Sequence, residues 1–273
     1  MGATMGDWNA GSRPLAGIRM LIIDDNDVNR LVLMGMAKHE GALVTAYDNG
    51  TDAVEDVART GGKAFDVVIT DIQMPLMDGY ETTRRILALA PDLPVLGLSA
   101  HVSGNDTGDC LRAGMRECLA KPLDMPALIA AVSRHVGKQA VPAGEVPTPV
   151  VESSTAAVGE GSALIDWGQL EARYGGKPAL LARLLAIPGQ KYADRPERLR
   201  AAARAGDIEE LRELAHATKG MAGELFAEPL RAVALDTEML ARDFRREACA
   251  RAEALADAFG AFLAELAARR ENR

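Results

Sequence analysis

The chain has 273 residues, room for about two domains, with 48% apolar residues and a net charge of −8. It has no dense basic run and no apolar stretch long enough to span a bilayer, and residues 1–17 do not resemble a signal peptide; a nucleic-acid surface and a membrane segment are therefore not expected, and a cytoplasmic location is. Three cysteines without metal-ligand spacing and only four histidines argue against a Cys/His metal centre and for reduced thiols.

From Ile18 to about Gly137, short apolar runs alternate with helical patterns. Strands are expected at Arg19–Ile23, Leu43–Ala46, Asp66–Thr70, Val95–Leu98 and Glu117–Leu119, and helices beginning near Asp27, Gly50, Gly79, Ser103 and Asp124. Parallel neighbours need helical crossovers, so five strand-helix units predict an α/β domain, a doubly wound five-stranded parallel sheet, over residues 18–137. Residues 138–163, rich in Pro, Gly and Ser without apolar period, read as a flexible linker with a span of roughly 28 Å. Residues 164–273 predict an all-α bundle of four or five helices, drawn from Trp167–Tyr174, Pro178–Ile187, Arg195–Ala205, Asp207–Phe226, Glu228–Arg245 and Ala248–Arg269. The Pro188-Gly189 step is expected to kink or end the second of these.

Three strand ends carry chemistry. Asp24-Asp25 closes the first apolar run, Asp71 the third, and Lys121-Pro122 follows the fifth. In a doubly wound sheet the carboxyl ends of the strands open onto one crevice, so these residues converge. Two like charges 4 Å apart repel by about 4 kcal/mol at an effective dielectric near 20, which a hard divalent cation relieves. Mg²⁺ suits such oxygen ligands. The arrangement predicts Asp71 as a phosphoryl-accepting nucleophile, with Lys121 and Ser99 holding phosphoryl oxygens. An Asp-Asp pair alone is often just a helix cap. The ordered set on separate strands carries the argument.

In the helical region Asp207 is a plausible N-cap, with Glu210 three residues on completing a capping box. Leu211, Leu214, Ala215, Thr218, Ala222 and Leu225 form the core stripe, while His216, Lys219, Gly220 and Gly223 lie on a second stripe expected to face water. Glycines in a helix cost about 1 kcal/mol each relative to alanine. Bare backbone beside an imidazole lets a second protein reach the ring, and Lys219 can hold a phosphoryl oxygen there.

These motifs resemble two families. Ile18–Gly137 is similar to response-regulator receiver domains through Asp24-Asp25, Asp71 in Asp-Ile-Gln-Met-Pro-Leu-Met-Asp-Gly, Ser99-Ala100 and Lys121-Pro122. Ile165–Arg269 is similar to histidine-containing phosphotransfer (HPt) domains through Ala215-His216-Ala217-Thr218-Lys219-Gly220 with Gly206-Asp207 upstream. The combination is that of the C-terminal part of hybrid sensor kinases. The resemblance implies phosphorylation of Asp71, a Mg²⁺ site of Asp25, Asp71 and the Gln73 backbone carbonyl with Asp24 acting through water, a cis bond before Pro122, and phosphohistidine at His216. Thr218 stands where leucine is common, and Phe226 where glycine often occurs. Cys118 replaces the aromatic residue usual three positions before the lysine, which implies a receiver that mainly passes phosphoryl groups.

The expected function is a phosphorelay: Asp71 is charged by an upstream sensor histidine kinase, and His216 exchanges the group with a downstream response regulator receiver. The sequence shows neither a Gly-rich nucleotide loop nor a phosphorylatable dimerisation helix, so the chain is not expected to use ATP. Two alternatives differ in class. A haloacid-dehalogenase-like phosphatase also uses an aspartate with Mg²⁺, but after its first strand. In the other, the helical half serves only for dimerisation or docking.

Overall fold

The computed structural model describes residues 13–99, 104–121, 123, 125–136, 163–243 and 246–271, and the chain divides into two compact units. Along residues 13–136, the elements run β1 (Arg19–Ile23), α1 (Asp27–His39), β2 (Leu43–Tyr47), α2 (Gly50–Thr60), β3 (Val67–Asp71), α3 (Gly79–Leu89), β4 (Val95–Ser99), α4 (Gly104–Ala113), β5 (Glu117–Ala120) and α5 (Met125–Val136). All strand pairs are parallel, in the order β2-β1-β3-β4-β5. The order reverses between β1 and β3, where such sheets open a crevice at the strands' carboxyl ends.

Side chains alternate across this sheet and are apolar on both faces. Met20 and Ile22 pack with Leu96, Leu98 and Leu128 in one cluster, while Leu21 and Ile23 pack with Val57, Val68, Ile86 and Met115 in the other. Burying each such side chain is worth about 1.5–3 kcal/mol, so both faces hold the strand register. The expected strands all occur, but β2, β4 and β5 run one residue further and β3 is displaced by one. Ile72 donates its N–H to the Leu98 carbonyl at 3.1 Å, and Lys121 donates to the Ser99 carbonyl at 2.8 Å. Pairing thus continues through the polar positions that end the apolar runs, and Asp71 and Ser99 are strand residues.

The second unit is helical: α6 (Trp167–Tyr174), α7 (Pro178–Lys191), α8 (Arg195–Ala205), α9 (Ile208–Glu224), α10 (Glu228–Arg242) and α11 (Glu247–Glu271). Six helices therefore stand among the described residues where four or five were expected. α7 also continues through Pro188 to Lys191, so of the expected kink or end at this step, the end does not occur. Leu181, Leu184, Leu185 and Pro188 are all buried, at the spacing of one helix face. The proline lies in the last turn, where burying that stripe offsets the backbone hydrogen bond its missing N–H forfeits.

Two clasps tie the first of these helices to the rest. Glu265 of α11 accepts hydrogen bonds from the Trp167 indole at 2.8 Å and the Leu164 N–H at 2.7 Å. The buried Tyr174 hydroxyl donates to Glu224 at 2.9 Å, and burial together with that carboxylate raises the phenol's pKa. Phe259 and Phe262 meet edge to face in the core, their centroids 5.8 Å apart. The segment read as a linker, residues 138–163, falls outside the described residues except for Ala163, as do Pro122 with its expected cis bond, Ala100 and Ser103.

Candidate functional site

The acidic site forms at the carboxyl ends of β1 and β3. Asp24 follows β1, its N–H bonded to the Tyr47 carbonyl at 3.2 Å, and Asp71 is the last residue of β3. Asp24, Asp25 and Asp71 each present a carboxylate oxygen within 4.8 Å of the others. Lys121, just past β5, places Nζ 2.8 Å from Asp24 Oδ2 and 2.6 Å from Asp71 Oδ2. The predicted convergence of three strand ends is therefore met by these four side chains. Ser99 ends β4, paired in register with Ala120 of β5. The Gln73 N–H donates to Asp71 Oδ1 at 3.2 Å, which orients the carboxylate.

Local sequence brings α3 against this site. Asp78 caps α3 by accepting from the Glu81 N–H at 2.7 Å. Gly79 lies so close to the strand end that a methyl group there would stand 2.2 Å from the Asp71 carbonyl oxygen and 2.8 Å from Ile72 Cα. Between them, the Met77 N–H donates to the Pro75 carbonyl at 2.7 Å across Leu76, which has φ +66° and is fully exposed. This is a γ-turn of the strained hand, held at the mouth of the site.

Electrostatics follow from burial. Asp24 is inaccessible, and desolvation pushes its pKa up to about 7; Lys121 pulls it down, while Asp71 and Asp25 push it up. Burial opposes the Lys121 charge, but Asp24 and Asp71 overcome that and raise its pKa. Three carboxylates face one ammonium in a pocket of hard oxygen donors, a set that fits a small divalent cation. The nucleophile candidate closes the third strand, not the first, which sets the site apart from the phosphatase alternative.

The second candidate site lies on α9. Asp207 caps this helix, accepting from the Glu210 N–H at 3.0 Å, whereas the Glu210 side chain pairs with Arg198 at 2.5 Å. The core stripe is buried as the period requires. The second stripe differs from expectation. Lys219 is buried, its Nζ 2.6 Å from Glu238 Oε2 on α10. Its charge is neutralised by a carboxylate instead of standing open beside the ring. His216 is only 19% exposed, and its Nδ1 lies 2.7 Å from the other oxygen of Glu238. Glu238 is nearly inaccessible; burial alone would raise its pKa, but His216 and Lys219 outweigh that and bring it down to about 2.

Glu238 was not found from sequence. It sits 22 residues from His216 on another helix, and nothing in Asp236-Thr237-Glu238 distinguishes it from a solvated acid. With Nδ1 engaged by a carboxylate, Nε2 is the ring nitrogen left for chemistry. A methyl group at Gly223 would meet Arg231 Cδ at 3.6 Å, ordinary contact, so packing against α10 does not demand glycine there. Phe226 has φ +51°, which accounts for a position where glycine is common; the Arg173 guanidinium lies 5.8 Å from its ring.

Comparison with known proteins agrees with both halves. Residues 20–133 match the response regulator receiver domain family, and residues 189–271 match the Hpt domain family. The chain is 32% identical over 208 residues to the sensor protein GacS of Pseudomonas syringae pv. syringae, covering 74% of this chain and 22% of that protein. It is 30% identical over 253 residues to the sensor histidine kinase GacS of Pseudomonas protegens, covering 90% of this chain and 27% of the relative. The receiver domain of a sensor histidine kinase from Pseudomonas aeruginosa, described with a magnesium ion coordinated in its active-site cleft, is 34% identical, covering 45% of this chain and all of that one, with a TM-score of 0.41. The chain thus spans about a quarter of the length of the two GacS relatives.

The chain carries a response regulator receiver domain followed by an Hpt domain. Both are domains of two-component phosphorelay signalling. No helix among the described residues is long and apolar enough to cross a membrane.

Proposed function

We propose that Asp71 accepts a phosphoryl group from the phosphohistidine of a sensor histidine kinase and that His216 passes such a group to or from the receiver of a separate response regulator. In the first step an Asp71 carboxylate oxygen forms the new P–O bond as the P–N bond of the donor breaks, and the departing imidazole is protonated. Lys121, already 2.6 Å from Asp71, is placed to follow the charge onto a phosphoryl oxygen. Ser99, at the end of the adjacent strand, is the candidate donor to another.

Asp24, Asp25, Asp71 and the Gln73 backbone carbonyl would hold Mg²⁺. That ion, when bound, offsets the charge on the pocket and on the transferring group. On α9, His216 would attack through Nε2. Glu238 holds Nδ1 and stabilises the positive charge the ring develops when it bonds to phosphorus. Lys219 is a charge partner of Glu238, and its hold on a phosphoryl oxygen would require that pair to loosen. We assign residues 18–137 to the receiver, 138–163 to a linker and 164–273 to the Hpt bundle, and place the chain in the cytoplasm, where both kinds of partner act.

The observation that carries this reading is the convergence of Asp24, Asp25, Asp71 and Lys121 at three strand ends. The test is phosphotransfer from a labelled sensor kinase, through this chain, to a receiver of a response regulator. Asp71→Asn should abolish acid-stable labelling of the chain by the kinase, and His216→Gln should block delivery to the regulator. Full delivery through His216→Gln would refute the relay.

A further inference from the structure

Lys219, one turn along from His216, is not open to a phosphoryl group. It is 6% exposed and bound at 2.6 Å to Glu238 Oε2, so freeing it would strip a buried carboxylate of its charge partner. Glu238 also meets Arg242. This arginine, the last residue of α10, lies one turn beyond Glu238 and places a guanidinium nitrogen 3.5 Å from Oε1, the oxygen that holds His216 Nδ1 at 2.7 Å. A single oxygen atom thus stands between guanidinium and imidazole. Arg242 is on the ring's side of the carboxylate, whereas Lys219 takes the other oxygen.

The contact differs from an ordinary surface ion pair. It is longer than those of His216 and Lys219 with the same carboxylate. The Arg242 side chain is 58% exposed and that of Glu238 only 2%, so a solvated cation leans against a covered anion. Lys219 already neutralises that anion, and Arg242 can leave it at little cost. Arg212, one turn before His216 on α9, is differently placed: it holds both oxygens of Glu209 at 2.5–3.2 Å.

We infer that Arg242 is the phosphoryl-binding residue of the Hpt site: when His216 carries phosphorus on Nε2, the guanidinium turns from Glu238 Oε1 to the phosphoryl oxygens. This deepens the relay reading and rests on it. Charge and shape both favour the exchange. A phosphoryl group brings about two negative charges, and the guanidinium fork matches two of its oxygens, where it now meets one carboxylate oxygen. Released by the arginine, Oε1 serves the Nδ1–H alone and holds the charged ring more firmly.

The test uses the full chain with Asp71→Asn, so that the receiver's nucleophile is absent, and potassium phosphoramidate as donor. His216 Nε2 forms a P–N bond as that of phosphoramidate breaks and ammonia leaves. Phosphorus NMR then follows the titration of the bound phosphoryl group. Arg242→Gln should raise its midpoint by about one pH unit, since a cation within about 4–6 Å favours the charged form. Labelling should slow by about fivefold, the worth of one exposed charge contact. Arg242→Lys, which keeps the charge without the fork, should fall between. Arg231→Gln removes an equal charge from the Glu228 end of α10 and should match the parent. Label on His216 with an unmoved midpoint in Arg242→Gln would overturn this inference alone, whatever that variant's melting temperature. A midpoint raised equally by Arg231→Gln would also overturn it, as an effect of net charge only. No label on His216 in the parent chain would overturn the relay reading and this inference with it.

Discussion

The two phosphoacceptor candidates are both set by a carboxylate–cation cluster, but the clusters are assembled oppositely. At the receiver site the nucleophile is itself the carboxylate, held by Lys121 and crowded by Asp24 and Asp25, all at or just beyond strand ends. On α9 the nucleophile is a neutral-capable ring, and the carboxylate is borrowed from α10, where Glu238 binds the ring with one oxygen and Lys219 with the other. The first site carries surplus negative charge and suits a metal. The second balances its charges within the protein and suits direct attack.

Removing the shared carboxylate should break this contrast most sharply. Glu238→Ala leaves Lys219 buried without its partner, and the unfolding free energy of the Hpt bundle measured in urea should fall by about 3–5 kcal/mol. At the receiver the comparable weak point is steric. Gly79→Ala drives a methyl group into the Asp71 carbonyl, so a loss of about 2–3 kcal/mol is expected in the receiver's unfolding transition, together with slower labelling of Asp71. Unchanged stability in Gly79→Ala would show that α3 can shift without cost.

Acid should distinguish the clusters further. The Glu238 pKa is depressed to about 2, so its contribution is complete above the ordinary carboxylate value of 4.5 and is lost as pH falls from there toward 2. The stability at stake is about 3 kcal/mol, at about 1.4 kcal/mol per pKa unit. Stability of the bundle followed between pH 6 and pH 2 should show that fall, and Glu238→Gln should flatten it. The smallest effect concerns the helix itself: Asp207→Ala removes the cap of α9 and should cost about 1 kcal/mol by thermal melting.

The legibility of the two sites in sequence follows the same contrast. Asp24, Asp71 and Lys121 could be placed because each ends a separate apolar run and the parallel topology brings strand ends together. The strand limits were misjudged by a residue because the site residues are polar yet still bonded into the sheet, as Lys121 to Ser99 shows. The Asp207 cap could be read from the capping pattern that opens α9, and the core stripe from helical period; His216 was expected to face water and is instead mostly covered, its Nδ1 held by Glu238. Lys219 could not be placed, since periodicity treats a lysine off the core stripe as solvated, and only the packing of α10 supplies the acid that buries it. That α7 does not end at Pro188 has a related reason: local propensity opposed the helix, and burial of Leu181, Leu184 and Leu185 beside it prevailed.

Phe226 closes α9 in a left-handed turn, and its carbonyl then receives the Asp166 N–H at 3.0 Å, while Asp207 pins the opposite end. A helix anchored at both termini cannot screw along its axis. Adding one residue between Asp207 and His216 would swing the imidazole by about 100° and strand it away from Glu238. The distance from Asp207 to His216 thus acts as a ruler for the ring's compass bearing, and length variation in the bundle has to fall elsewhere.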